Sequence, residues 1–297
     1  MRTILKPRAL GPFWSLLLFS TLATAESVRP QLPADVTMNK NAGRGSYLFV
    51  TLRMEGDENL LFLVDTGSPI TLFAKSLAPK LGNRLGTVRL RTLYGNQEGG
   101  VYTAPKLYLE NIQLLTGTNI FTDNFTMQSL IAHRSIKGIL GMDCLRHYCI
   151  QLDFDAEKIR FLAPDTVNAA LLGKAFPVTF PWGGIPFIHH TGLLAGEGTN
   201  LLIDTGCHID GFVEKGAIKG HYLGWWYWLF GKRLPACLWD DQTYTHLLVR
   251  RSGSLNLMGL RFLARHLVTL DFPEQTMYLK RTRISPLDKE NKKATAK

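Results

Sequence analysis

The sequence predicts an all-β chain of two homologous, β-barrel-like lobes around a central cleft. The first ground is a stretch that occurs twice: Leu61-Phe62-Leu63-Val64-Asp65-Thr66-Gly67-Ser68 and Leu201-Leu202-Ile203-Asp204-Thr205-Gly206-Cys207, with the aspartates 139 residues apart. The second is that the segments downstream of the two copies share one order and end in an apolar pair, a glycine and a closing hairpin. The third is local: short apolar or alternating runs bounded by turn residues, the pattern of strands and hairpins. An acidic residue directly behind a buried strand is costly unless it is hydrogen-bonded or functional. A lone Asp-Thr-Gly makes an ordinary turn. Two copies, each behind an apolar run, are a stronger signal than turn chemistry supplies.

The 297 residues suffice for two lobes with sizeable cores. Composition is that of a globular protein, 45% hydrophobic and 20% charged. The net charge of +10 is concentrated at the ends. Arg2, Lys6 and Arg8 open the chain, and Lys280–Lys297 holds seven basic residues against two acidic ones. No basic stripe with interleaved aromatics marks a nucleic-acid surface. Residues 282–297 read as a solvated, disordered basic tail, with anchoring to an anionic surface as the alternative.

Residues 1–25 read as a secretory signal peptide: a basic start, an apolar core from Phe13 to Leu22 and the small-x-small site Ala23-Thr24-Ala25. Cleavage near Ala25 predicts an exported protein, periplasmic or secreted. The apolar core is short for a membrane span, and no later segment is long enough for one. Retention as an N-terminal membrane anchor is the alternative. Residues 26–40, polar with Pro30 and Pro33, read as a linker. Cys144, Cys149, Cys207 and Cys237 can oxidise in an exported protein, in any of the three connectivities that four cysteines allow. Their spacing does not resemble a zinc site, and no metal or other cofactor is expected.

The first lobe is read as 41–165. Tyr47 to Leu52 forms a strand, Gly56-Asp57 a turn, and Leu60 to Val64 a second strand that delivers Asp65. Ile70 to Leu77 and Val88 to Leu93 come next. Tyr94-Gly95-Asn96-Gln97-Glu98-Gly99-Gly100 reads as a mobile, glycine-rich hairpin tip, with β structure resuming from Val101 to Leu109. Gly117 to Lys137 holds a short helix or a loop. Ile139-Leu140-Gly141 then leads through a short helix to the hairpin Cys149–Phe154 and Ile159–Leu162, and Pro164-Asp165 marks the boundary.

The second lobe, 166–281, repeats this order. Pro186-Phe187-Ile188 begins a strand, Gly196-Glu197-Gly198 turns, and Asn200 to Ile203 leads to Asp204. Aligning Asp65 with Asp204 superposes Ile70 on Ile209. Leu257-Met258-Gly259 mirrors Ile139-Leu140-Gly141, and Leu270-Asp271-Phe272 mirrors Leu152-Asp153-Phe154. A duplication of about 120 to 140 residues is far longer than a solenoid repeat and suits two lobes about a pseudo-twofold axis. The lobes differ at Gly224-Trp225-Trp226-Tyr227-Trp228-Leu229-Phe230, which suits a packed aromatic loop, a wall of substrate subsites or a membrane-interface patch.

A twofold axis brings Asp65 and Asp204 together. Two adjacent carboxylates cannot both ionise easily, so the pair shares a proton. The ionised member can take a proton from a water held between them, and the protonated member can protonate a carbonyl oxygen: general acid–base hydrolysis with no covalent intermediate. The doubled hydrophobic-hydrophobic-Asp-Thr-Gly, each copy trailed by two apolar residues and Gly, resembles the aspartic peptidases, the pepsin and retroviral protease group. The stretch Leu140-Gly141-Met142-Asp143-Cys144-Leu145 to Leu152-Asp153-Phe154 is closest to the bacterial retropepsin-like branch. The likeness runs over nearly all of Asn41 to Lys280.

That resemblance implies an aspartic endopeptidase acting on polypeptide substrates, with Asp65 and Asp204 catalytic, and the presence of both lobes in one chain predicts an active monomer. Thr66 and Thr205 would hydrogen-bond across to the opposite loop, and Gly67 and Gly206 would donate backbone N–H groups to the carboxylates. Tyr94 and Gly95 would belong to a substrate-covering flap. Ser68 fits the family pattern; Cys207 departs from it, and its thiol, a weaker donor, would hold the second carboxylate less firmly or pair with Cys237. That departure leaves open a protease-fold peptide-binding protein with little or no catalysis. The histidines form no His-Glu-x-x-His pattern, and there is no Gly-x-Ser-x-Gly or phosphate-binding loop.

Overall fold

Both Asp-bearing stretches are interior strands of the computed structural model, which describes residues 31–56, 59–92, 95–181, 183–190, 199–214, 231–239, 242–252 and 255–282. Asn59–Val64 pairs antiparallel with Phe49–Met54 on one side and parallel with Gly138–Leu140 on the other. Thr199–Asp204 sits in the same way between Phe187–His190 and Leu257–Gly259. A strand flanked on both sides and covered on both faces is apolar without interruption. Leu60, Phe62 and Val64 accordingly enter the main core, while Leu61 and Leu63 face a second cluster with Tyr47, Phe49 and Ile139.

The architecture is β, with 49% of the described residues in strands against 13% in helices. Among the described residues the strands form two sheets, and neither closes into a barrel. The nine-stranded sheet runs Arg84–Thr92, Gly95–Thr103, Asn119–Asp123, Leu72–Ala74, Gly138–Leu140, Asn59–Val64, Phe49–Met54, Leu107–Leu109 and Ile112–Gln113. The twelve-stranded sheet begins with Val36–Thr37, Lys158–Leu162 and Cys149–Asp153. It continues through His266–Asp271, Thr276–Arg281 and Lys174–Thr179 into the strands of the second repeat. Val36–Thr37, within the stretch read as linker, thus pairs with Lys158 and Ile159.

The two closing hairpins meet in this sheet. Cys149–Asp153 runs antiparallel to His266–Asp271, with Gln151 opposite Thr269 at the centre and Cys149 opposite Asp271 at one end. Gln151 Nε2 donates to Thr269 Oγ1 at 3.1 Å. The repeats are also crossed near their starts. Gly43 packs so closely on Leu260 and Ala264 that a Cβ there would lie 2.5 Å from that of Ala264. In the counterpart contact, Arg146 Nη2 donates to the Gly184 carbonyl at 3.4 Å.

Three local expectations change. Gly95 to Gly100 is not a hairpin tip but part of the strand Gly95–Thr103, paired from Thr92↔Gly95 to Arg84↔Tyr102. The register sets Arg89 opposite Glu98, and opposite charges across a ladder favour pairing where glycine propensity does not. Residues 93–94, Tyr94 among them, and the Trp225–Trp228 stretch lie outside the described residues. Ile70 to Leu77 contributes only Leu72–Ala74 before a 3-10 helix, Lys75–Lys80. The stretch Gly117 to Lys137 holds both a strand, Asn119–Asp123, and a helix, Thr126–Ala132.

Each apolar-apolar-Gly strand passes directly beside an Asp loop. A Cβ on Gly141 would lie 2.3 Å from the Ile70 carbonyl oxygen, and one on Gly259 2.1 Å from that of Ile209. Backbone oxygens cannot yield as a flexible side chain can. Gly259→Ala is expected to destabilise the fold by about 2–3 kcal/mol, read as a lowered urea midpoint at unchanged m-value. A shift within error would mean that the loop is not packed against this glycine.

Candidate active site

The strand ends place Asp65-Thr66-Gly67 and Asp204-Thr205-Gly206 face to face. Thr66 Oγ1 donates to the Ile203 carbonyl at 2.6 Å and accepts from Thr205 N–H at 3.0 Å. Thr205 Oγ1 donates to the Val64 carbonyl at 2.9 Å and accepts from Thr66 N–H at 3.0 Å. Both threonines are buried, so each loop satisfies the other's main chain. The glycines provide clearance. A Cβ on Gly67 would meet Asp204 Cγ at 2.8 Å, and one on Gly206 would meet Asp65 Cγ at 2.4 Å.

Gly67 N–H donates to Asp65 Oδ1 at 2.8 Å. Main-chain N–H groups of Gly206 and Cys207 serve Asp204 in the corresponding way. The two carboxyl side chains hydrogen-bond each other. Asp204 is buried and Asp65 partly so. Burial pushes both above the ordinary carboxyl range, and Asp204 rises further because the Asp65 charge adds to its burial. The N–H of Gly67, the bond from Asp204 and the N–H of Ser68 pull Asp65 back down. The pair therefore favours a single proton, held on Asp204 and directed at Asp65. Asp204 Oδ1 is buried with no hydrogen-bond partner among the described residues. Such a site can abstract a proton at one oxygen and deliver one from another.

Ser68 and Cys207 hold equivalent places but do not bind the carboxyl groups through their side chains. Ser68 Oγ donates to the Ile70 carbonyl at 2.8 Å, and Cys207 Sγ reaches the Ile209 carbonyl at 4.0 Å. Their side chains brace the loop, while main-chain N–H groups hold the aspartates. Cys207 is a free, buried thiol, so pairing with Cys237 is not what the fold contains. Burial, reinforced by the Asp204 charge, drives its titration well upward, which keeps it a neutral thiol. Cys144 and Cys149 are also free and buried, and burial pushes the Cys149 thiol up to about 12. Gly95 starts a strand that belongs to the first-repeat sheet.

Beneath the loops lie supports that the sequence did not single out. In the first repeat Thr71 Oγ1 donates to Asp143 Oδ1 at 2.7 Å and accepts from Gly141 N–H at 3.2 Å. In the second, Asp210 is fully buried between Arg261 Nε at 3.1 Å and Arg265 Nε at 3.3 Å, and accepts from Leu248 N–H at 2.7 Å. The signal was positional: Asp210 and Thr71 follow their aspartates at equal spacing, as Arg261 and Asp143 follow their glycines.

His208, directly after Cys207, packs its ring on Tyr47 of the first repeat, centroids 5.1 Å apart. A cavity of about 240 Å³ lined by Phe176, Trp239, Tyr244 and His266 contains no residue of the Asp loops. His266 is held between Tyr244 Oη at 2.8 Å and the Phe262 carbonyl at 3.2 Å, and burial lowers it to about 3, which leaves it neutral and structural. Among the described residues no cluster of three or more His, Cys, Asp or Glu side chains could hold a metal ion.

A buried and a partly buried carboxyl group on duplicated, mutually braced Asp-Thr-Gly loops define a paired-aspartate protein built from two repeats. Residues 50–144 match the family model described as aspartyl protease, which identifies this part of the chain as an aspartyl-protease segment of the retropepsin-like kind. The match contains Asp65, Gly141 and Asp143; the second repeat, with Asp204 and Gly259, carries the same arrangement beyond it. No curated protein matches the chain.

Thr66→Val keeps the side-chain shape and removes both bonds of one hydroxyl. It leaves the Thr205 N–H and the Ile203 carbonyl unsatisfied, so the expected loss is about 2–4 kcal/mol in urea unfolding, with Thr66→Ser losing much less. Equal losses in the two variants would assign the effect to packing.

The raised Asp204 carboxyl gives a second expectation. A group that holds its proton more tightly when folded contributes stability that is complete below the ordinary carboxyl range and is lost as pH rises through its folded titration. Asp204→Asn removes that loss. The variant should therefore melt above the wild type at neutral pH, with the gap narrowing on acidification. A variant that melts lower at neutral pH would show that Asp204 carries no such burden.

Proposed function

We propose that this protein is an aspartic endopeptidase whose nucleophile is a water activated between Asp65 and Asp204. The observation that carries the reading is the reciprocal Thr66–Thr205 bracing that holds the Asp65 and Asp204 loops face to face. Ionised Asp65 takes a proton from the water as its oxygen attacks the peptide carbonyl carbon, and Asp204 gives its proton to the carbonyl oxygen. The tetrahedral diol collapses as the amide nitrogen is protonated and the C–N bond breaks, and the two aspartates return to sharing one proton. Lobes over 41–165 and 166–281 would flank the peptide cleft. The hairpin of Arg84–Thr92 and Gly95–Thr103 would lie over the cleft as a flap, with Tyr94 and Gly95 as its substrate-binding residues.

Export after cleavage near Ala25, and action as a monomer, belong to the same proposal. The buried thiols Cys144, Cys149 and Cys207 suit an oxidising compartment, because thiolate is the form that reacts and burial suppresses it. No helix among the described residues is long and apolar enough to cross a membrane. The alternative, a peptide-binding protein without catalysis, drew on Cys207. With that thiol turned to the Ile209 carbonyl and Asp204 held by main-chain groups, the enzyme reading has the better support.

Asp65→Asn and Asp204→Asn should each lower kcat by about 10³-fold or more on a denatured-protein substrate, with the fold retained by circular dichroism. The wild-type rate should fall on the acid side as Asp65 takes up a proton and on the alkaline side as Asp204 loses one. Full activity in either variant would refute the two-carboxylate mechanism.

A further inference from the structure

On the side of the second repeat where Cys207 and Ile209 pack, an arginine stands without a counter-charge among the described residues. Along Gln242–Arg251, Leu247 and Val249 enter the main core, so Leu248 and Arg250 alternate to the other face. Leu248 there joins Phe212 against the small cluster of Cys207, Ile209 and Leu257. Arg250 lies opposite Phe212 in the parallel register Gly211↔Val249, Phe212↔Arg250. In the first repeat the residue at the place of Phe212 is Phe73, and its strand partner is Thr122. An arginine thus stands opposite Phe212 on an apolar face. Arg250 is half-buried, and its Nε is buried with no hydrogen-bond partner among the described residues. Arg261 and Arg265 differ from it in sharing the Asp210 carboxylate.

His208 lies close enough for the Arg250 charge, after burial, to hold its imidazole below the ordinary range. It is therefore a neutral donor near neutral pH. It is half-buried, adjoins the Asp204 loop, and touches Tyr47 of the other repeat, which puts it where the two halves face each other. A guanidinium with an unsatisfied buried edge is costly in isolation and strongly stabilised by a planar carboxylate that can take two of its N–H groups.

We propose that Arg250 and His208 form an anion-binding subsite beside Asp204 that receives a carboxylate of the polypeptide substrate. The subsite rests on the peptidase reading and adds a preference to it: chains with an acidic group at one fixed position from the dyad. That carboxylate comes either from a Glu or Asp side chain or from the end of the substrate chain.

The test uses Asp65→Asn, which holds peptides without turnover, and fluorescently labelled peptides of one apolar sequence. A single Glu, or a single Gln, is moved through every position, with the C-terminus either free or amidated. Fluorescence anisotropy should show one Glu position binding about tenfold more tightly than its Gln counterpart, a preference weakened by salt. Tighter binding of free-acid peptides alone would assign the subsite to the terminal carboxylate. Adding Arg250→Met should bring the ratio close to one, while Arg250→Lys should keep part of it. If Arg250→Met fails to fold, the Lys variant and the salt dependence of the parent decide. Equal affinities for Glu and Gln throughout together with equal affinities for free acid and amide, a preference untouched by Arg250→Met, or no peptide binding at all would each overturn the proposal. Selective binding with no cleavage by the wild type would leave the subsite standing and remove the peptidase reading instead.

Discussion

The bonds that tie Thr66 and Thr205 into each other's loops are the constraint on which the site depends. Each loop leaves a buried N–H and a carbonyl that only the other loop's hydroxyl reaches, and leaving such groups unmet costs about 1–3 kcal/mol each. The bracing therefore forms whole or not at all. It also forces two acidic side chains into one poorly solvated volume, an arrangement neither loop would adopt alone. Gly67 and Gly206 make the approach sterically possible, since each faces the opposite carboxyl group.

Around this symmetric frame the side chains are not symmetric. Ser68 and Cys207 make the same loop contact with different donors, and the weaker thiol is the longer of the two. One support is a Thr71 hydroxyl on the Asp143 carboxylate; the other turns the polarity round, with an Asp210 carboxylate on two arginines. The backbone geometry of the loops tolerates either. The two aspartates are inequivalent as well. Asp204 retains its proton against an already charged neighbour, and Asp65 receives that proton's hydrogen bond.

Much of this was legible in the sequence because it rests on local rules. The Asp-Thr-Gly copies, the apolar strands behind them and the downstream glycines are contiguous patterns. The strands meet as their spacing implies: Leu140 beside Val64, and Met258 beside Ile203. What could not be read depended on pairing across distance. Gly95 to Gly100 has the composition of a loop and becomes strand because Arg84–Thr92 supplies a partner. Asp143, Asp210, Arg261 and Arg265 look like surface charges until the fold sets Asp143 against Thr71 and buries Asp210 between the two arginines. Cys207 invited thought of a disulfide, and only its orientation toward Ile209 shows a loop brace. Tyr47 and His208 meet only because the two repeats do.

The strand Cys149–Asp153 runs against His266–Asp271, so the last hairpin of each repeat is completed by the last hairpin of the other. Gln151 and Thr269 mark the seam. A half made alone would end in a bare sheet edge of apolar residues, Ile150 and Leu152 in one case and Val268 and Leu270 in the other. Such an edge recruits another strand. The most complementary surface available to it is that of its own counterpart. The chain is thus a tethered heterodimer in its architecture, and the tether raises the local concentration of the two halves for each other. Their covalent union lets each half diverge freely, since a half whose seam no longer suits a copy of itself still has a partner that it cannot lose.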